Sequence, residues 1–102
     1  MKNLELLKAR MIEDFNRFIE NPQMQKEFAE GIKFSEGRKY LKVLKDRSVW
    51  GFIVKSDDAK FQVGDILKAA SWNAPARNQA RANLFQPETF ENVFWTGPGY
   101  LR

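Results

Sequence analysis

A chain of 102 residues, 43% of them hydrophobic and 14% aromatic, is large and apolar enough for one packed core, which excludes a disordered protein. The absence of cysteine and histidine also excludes disulfides, thiolate metal sites and the commonest general base. The formal net charge of +4 is concentrated in residues 38–68, which carry eight Lys or Arg against four Asp or Glu. That excess favours an anionic partner, unless it is only a solvated surface that keeps a small protein in solution.

Nothing in the sequence indicates a membrane protein. The longest apolar run, residues 49–54, is far shorter than the roughly 20 residues of a membrane helix. The first residues alternate charged and apolar side chains and therefore do not resemble a signal peptide. We expect a soluble protein of the cytoplasm, a setting that the absence of cysteine also fits.

Two amphipathic helices are predicted at the start of the chain. Over residues 4–20, apolar side chains recur every three or four positions, as on the buried face of a helix. This stripe comprises Leu4, Leu7, Met11, Phe15 and Phe18. Pro22 is typical of the first turn of a second helix, which would run to residue 30 with Met24 and Phe28 facing the core.

From residue 32 onward the pattern changes to that of β-strands. Residues 39–45 alternate side chains between two faces, and residues 49–55 are rich in β-branched and aromatic side chains. Residues 61–63 alternate into a turn at Gly64-Asp65, a further short strand is predicted to begin at Ile66-Leu67, and a last strand is predicted over residues 93–95. Together these segments predict an antiparallel sheet of three to five strands.

A short third helix is predicted after Trp72, over residues 73–83, because an Asn-Ala-Pro sequence suits a helix cap and first turn. The complete prediction is an α+β fold in a single domain, residues 1–102. Two helices in residues 1–31 pack on a sheet of three to five antiparallel strands. That sheet and the short third helix occupy residues 32–102.

Two arginines, Arg77 and Arg81, lie four positions apart in the predicted third helix and would share one of its faces. Like charges at this spacing repel each other, so an anion held between two guanidinium groups would explain them. The anion would be a phosphate or a carboxylate of a partner. The alternatives are an internal partner such as Asp65 or Glu88, or simple exposure to solvent.

Basic and aromatic side chains are interleaved through the strand region, as in surfaces that bind single-stranded nucleic acid. The basic candidates are Lys39, Lys42, Arg47, Lys55, Lys60 and Lys68. Most aromatic side chains of so small a protein must fill the core. Trp72 is the best exception, because a side chain between a strand and a helix can be half exposed. Such a residue would equally suit the anchor of a protein interface.

Catalysis has little support in the sequence. Without histidine or cysteine, and with no serine beside an evident base, no catalytic constellation is recognised, and an enzyme is the least favoured hypothesis. Asp57 and Asp58 are adjacent in a predicted turn and lack the further ligands of a metal site. No cofactor is predicted, and the sequence leaves the oligomeric state open.

The run GDILKAASWNAPARNQARANL, with the closing WTGPGYL, resembles a set of small uncharacterised accessory proteins of tailed, T4-like bacteriophages. The resemblance spans roughly residues 40–101 and implies an accessory role in the cytoplasm of the host cell. It implies no catalytic or binding residue. Two hypotheses remain: a non-catalytic nucleic-acid-binding protein, or a module that binds and modulates a host protein. The candidate binding residues are Lys42, Lys55, Trp72, Arg77 and Arg81.

Overall fold

The computed structural model describes residues 1–99 of the chain. Two α-helices come first, α1 (Leu4–Phe18) and α2 (Pro22–Gly31). One antiparallel sheet follows, with its strands in chain order: β1 (Ile32–Glu36), β2 (Tyr40–Lys45), β3 (Ser48–Val54), β4 (Asp65–Lys68) and β5 (Ala82–Asn83). A 3-10 helix (Pro87–Asn92) precedes a small hairpin of β6 (Val93–Phe94) and β7 (Gly97–Pro98). The predicted α+β class, two helices followed by an antiparallel sheet, is confirmed.

The sheet buries apolar side chains on both faces. The main core lies between one face, α1 and the C-terminal hairpin. Its buried members are Leu7, Met11, Ile32, Leu41, Val43, Trp50, Ile53, Ile66, Ala82, Leu84, Phe90 and Val93. A smaller core on the opposite face contains Phe52, Val54, Phe61 and Leu67. Alternation along β2 sends Leu41 and Val43 into the main core and leaves Lys42 on the opposite face.

Helix α1 packs as its apolar stripe predicts, except at its end. Phe15 is only 7% exposed, because its ring stacks on Phe28 at 4.2 Å and meets the edge of Trp95 at 5.1 Å. Phe18 is 66% exposed, so its predicted place in the core is wrong. It is the last residue of α1, one turn beyond the rings that cover Phe15. Periodicity assigned the face correctly but could not indicate where the covering surface ends.

Helix α2 lies on the surface and contains no buried residue. The Asn21 side chain caps it by accepting from the main-chain N–H groups of Gln23 and Met24. Phe28 is partly buried, as predicted, whereas Met24 is 47% exposed and does not face the core. Among the helices in residues 1–99, none is long and apolar enough to cross a membrane.

Residues 73–83 do not form the predicted helix. The main-chain N–H of Ala76 donates to Lys68 O at 2.7 Å, and that of Arg81 donates to Ile66 O at 2.9 Å. The segment therefore follows the edge of β4 and ends as β5. The open edge of β4 offers main-chain partners that outweigh the local helical preference of an alanine-rich sequence. The short helix after Trp72 lies further along, as the 3-10 turn Pro87–Asn92.

The C-terminal hairpin is fixed to the N-terminal half by buried polar contacts. Asp14 is 2% exposed, and its carboxylate accepts from the main-chain N–H of Trp95 at 2.9 Å. The indole N–H of Trp50 donates to Phe94 O at 2.8 Å. The ammonium group of Lys45 donates to Trp95 O, and burial, followed by the nearby Lys68, lowers the pKa of Lys45. These contacts close the main core.

Candidate functional site

The sheet face opposite the helices is left open over β1 and β2. Ser35 of β1 pairs with Lys42 of β2, which pairs with Phe52 of β3, so the three residues form a row across the sheet. The loop between β4 and β5 borders this row with Trp72 and Asn73. We call these five residues and the cleft beside them the open face.

The cleft of the open face has a volume of about 350 Å³ and lies at the turn between β1 and β2. Its lining residues are Ser35, Glu36, Gly37, Arg38, Lys39, Tyr40, Lys42, Phe52 and Asn73. Arg38, Lys39 and Lys42 are cations, and within residues 1–99 none of them pairs with a carboxylate. The one acidic lining residue, Glu36, has its own cationic partner, Lys55. The cleft therefore presents uncompensated positive charge.

Lys42 and Trp72 form the centre of the open face. The Lys42 ammonium nitrogen lies 4.7 Å from the centre of the Trp72 ring and donates to Asn73 Oδ1 at 3.3 Å. A cation over an indole is attracted by the electron-rich ring. Trp72 remains 51% exposed, so part of this side chain is accessible to a ligand beside Lys42. The sequence-based expectation of a half-exposed Trp72 is confirmed.

Lys55 stands at the margin of the cleft and is already paired. Its ammonium group lies 2.5 Å from Glu36 Oε2 and donates to Gly37 O at 2.8 Å. The hydrogen bond from Lys55 lowers the pKa of Glu36. Lys55 thus holds the turn that carries Arg38 and neutralises the acid of the cleft, instead of presenting a free charge.

Arg77 is held by neighbours within the protein. Its guanidinium group lies 2.9 Å from Asp58 Oδ2, donates to the Tyr40 hydroxyl and lies 4.9 Å from the centre of the Phe61 ring. The pKa of Asp58 is held well below its usual range by three hydrogen bonds. In order of decreasing effect, the donors are the main-chain N–H of Phe61, the Arg77 guanidinium and the main-chain N–H of Lys60. Arg77 therefore fastens the loop that carries Trp72 to the loop after β3.

Arg81 is 8% exposed and does not share a face with Arg77. It donates to Gly99 O at 2.7 Å, to Gln79 O at 3.0 Å and to Asn78 Oδ1 at 3.1 Å. The predicted pair of outward guanidinium groups is therefore wrong, because it required a helix that does not form. Within residues 1–99 neither arginine bonds to Asp65 or Glu88, the partners considered from the sequence.

Of the five candidate residues, the structure brings Lys42 and Trp72 together and gives Lys55, Arg77 and Arg81 partners inside the fold. Sequence reasoning missed Arg38 and Asn73. Arg38 follows Gly37, and glycine is typical of turns, so an exposed cation beside the sheet had this one signal in the sequence. No group of three or more acidic, histidine or cysteine side chains within residues 1–99 is placed to hold a metal ion.

A family comparison covers almost the whole chain. Residues 2–101 match the family of unknown function DUF7717. The chain belongs to this family. No curated protein and no solved structure matches the chain. The DUF7717 match includes both helices and the sheet that carries the open face.

Proposed function

We propose that this protein is a non-catalytic binding protein that takes single-stranded nucleic acid on the open face. The single observation that carries the proposal is the half-exposed Trp72 ring beside Lys42, which also lines a cleft with Arg38 and Lys39. Within residues 1–99 none of these three cations pairs with a carboxylate. Bases stack on aromatic rings while nearby cations hold the phosphates, the usual combination in proteins that bind single strands.

The geometry favours an unpaired strand over a duplex. A base can stack on the Trp72 ring only when it is not already stacked and paired within a helix. Lys42 lies over the Trp72 ring and also lines the cleft with Lys39 and Arg38, so a short strand stacked on Trp72 would pass Lys42 and enter that cleft. Stacking and phosphate contacts do not require the protein to recognise base edges. We therefore expect it to bind single strands of different nucleotide sequence. Following the resemblance to T4-like phage proteins, the proposed setting is the cytoplasm of a host cell.

Titration of a fluorescein-labelled 12-nucleotide DNA strand, followed by anisotropy, tests the proposal. Trp72→Ala should weaken binding about 5- to 150-fold, the equivalent of 1–3 kcal/mol for one stacked base. Phe18→Ala is the matched control, because Phe18 is an exposed aromatic residue on the helical side. With roughly three phosphate contacts, the logarithm of the affinity should fall against the logarithm of the salt concentration with a slope of about −2.

Intrinsic fluorescence gives a second readout. Trp72 is the exposed tryptophan, whereas Trp50 is 2% exposed and Trp95 packs on the rings of α1 and α2. The strand should quench the emission of the wild-type protein and leave that of Trp72→Phe nearly unchanged. Equal affinity of wild type and Trp72→Ala for the strand, or no binding at low salt, would reject the proposal.

The alternative is a module that binds a host protein, with the exposed Trp72 as the anchor. Trp95 contributes little to such a surface, because its ring packs against Phe15 and Phe28. This alternative predicts that Trp72→Ala abolishes capture of one host protein while the DNA strand fails to bind at any salt concentration.

A further inference from the structure

A second concave surface lies on the helical side, away from the open face. It has a volume of about 560 Å³ and runs between α2, the start of β1 and the turn after β2. Its lining residues are Phe15, Met24, Glu27, Phe28, Glu30, Gly31, Lys33 and Asp46. We call it the α2 groove. Its volume falls within the range of roughly 300–1,000 Å³ that is usual for ligand pockets.

The α2 groove is apolar where α1 and α2 meet. Phe15 and Phe28 are stacked there, with ring centres 4.2 Å apart. Met24 lines the groove and is 47% exposed, although the sequence pattern predicts a core position for it. Methionine is common on surfaces that receive apolar segments, because its flexible thioether adapts to the shape of a partner.

The charge of the α2 groove is opposite to that of the protein as a whole. Glu27, Glu30 and Asp46 line it, with Lys33 as the only cation among its lining residues. Within residues 1–99 no cation pairs with Glu27 or Asp46, and Glu30 lies 4.0 Å from Lys26 on the same helix. A groove with net negative charge on a protein of charge +4 repels nucleic acid and attracts a cationic ligand.

We propose that the α2 groove binds a short segment of a partner protein that is both apolar and basic. Its apolar side chains would lie over Phe28 and Met24, and its lysine or arginine side chains would meet Glu27, Glu30 and Asp46. A helix that presents one apolar face with basic flanks meets both requirements. This proposal is independent of the open face and would let one molecule hold a partner protein and a nucleic acid on separate surfaces.

Selection from a displayed library of random 12-residue peptides tests the proposal, with the whole chain as the target. The enriched peptides should carry apolar residues three or four positions apart, together with at least two Lys or Arg. A synthetic copy of the most enriched peptide is then titrated calorimetrically against variants. Met24→Lys should weaken its binding at least tenfold, because it replaces an apolar contact with a charge that repels the basic peptide, and the double variant Glu27→Gln and Glu30→Gln should weaken it about fivefold or more.

Leu6→Lys is the matched control, since Leu6 is also 47% exposed but lies outside the α2 groove. It should leave peptide affinity unchanged, and circular dichroism should show all variants folded. The proposal fails if no peptide is enriched, if the enriched peptides are acidic, or if they bind Met24→Lys as well as wild type. It fails equally if sedimentation equilibrium shows a dimer that Met24→Lys dissociates, because the occupant would then be a second copy of this chain.

Discussion

At the scale of single residues, two phenylalanines one turn apart on α1 have opposite environments. Phe15 is packed between two rings, while Phe18 is 66% exposed. We predict that Phe15→Ala lowers the free energy of unfolding by about 3–5 kcal/mol, the usual cost of removing a buried ring. Phe18→Ala should change it by less than about 0.5 kcal/mol, as surface substitutions generally do. Urea unfolding followed by circular dichroism measures both, and similar losses in the two variants would contradict the assigned orientation of α1.

Substitutions of Arg77 and Arg81 should also differ in their effect on the free energy of unfolding. Arg81 is buried and donates to Gly99 O and Gln79 O, which would lose a charged donor. We predict that Arg81→Gln lowers the free energy of unfolding by about 2–4 kcal/mol, because buried acceptors would remain unsatisfied. Arg77→Gln should cost much less, since its ion pair with Asp58 is open to solvent. An Arg81→Gln variant as stable as Arg77→Gln would show that the buried contacts are dispensable.

At the scale of elements, the loop after β3 is organised around Asp58. Its carboxylate accepts from the main-chain N–H groups of Lys60 and Phe61 and from Arg77, so its pKa is held below the usual 3.8. A depressed carboxyl pKa contributes stability that is present above the unfolded-state pKa and is lost as the pH falls through the folded-state pKa. The charge of Asp58 therefore stabilises the protein at neutral pH, and this contribution declines only in acid.

We predict that Asp58→Asn lowers the free energy of unfolding by a constant amount from pH 7 to about pH 5, and that the difference from wild type narrows as the pH falls further. Urea unfolding at a series of pH values measures the difference. Glu91→Gln is the control, because Glu91 is exposed and has no ion pair within residues 1–99. A difference that widens on acidification would contradict the assigned role of the Asp58 charge.

Elements with a clear period could be predicted from the sequence, and those that depend on distant main-chain partners could not. The alternation along β2 and the apolar stripe of α1 are local patterns, and both located their element, although the stripe wrongly placed Phe18 in the core. Residues 73–83 have helix-forming composition, yet they follow β4 because its edge offers unpaired main-chain groups. Nothing in the local sequence encodes the position of that edge.

In the candidate site, too, some residues could be predicted from the local sequence and others depend on distant contacts. Lys42 and Trp72 could be chosen from charge and from a junction between elements, and they do meet. The roles of Arg77 and Arg81 are set by Asp58 and Gly99, which lie 19 and 18 positions away. The contacts of Arg77 and Arg81 follow from how the loops fold over the smaller core. The spacing of residues in the sequence cannot reveal them.

At the scale of the whole molecule, we expect the placement of positive charge to affect nucleic-acid binding more than the total charge does. Reversing Lys42 and Lys55 to glutamate lowers the formal net charge by four, from +4 to zero. We predict that this double variant binds single-stranded DNA at least tenfold more weakly, with a shallower salt dependence, because Lys42 lies in the cleft and Lys55 neutralises Glu36. Anisotropy titrations at several salt concentrations measure both effects.

A charge-matched control separates local from overall electrostatics. Reversing Lys2 and Lys26, both exposed in the helical region, brings the net charge to the same value. This variant should retain most of the affinity and most of the salt dependence. Equal losses in the two double variants would mean that the strand senses only the total charge of the protein, and the open face would then have no special role.

The contact between Asp14 and Trp95 also affects how the protein is made. The two residues are 81 positions apart, as are Asn3 and Leu84, which are likewise hydrogen-bonded. At about 5–20 residues per second, a ribosome adds Trp95 roughly 4–16 s after Asp14. During that interval α1 has emerged without the hairpin that will cover it, and its apolar stripe is open to chaperones. Slow codons shortly before the 3-10 helix would lengthen this exposure and raise the demand for chaperones during synthesis.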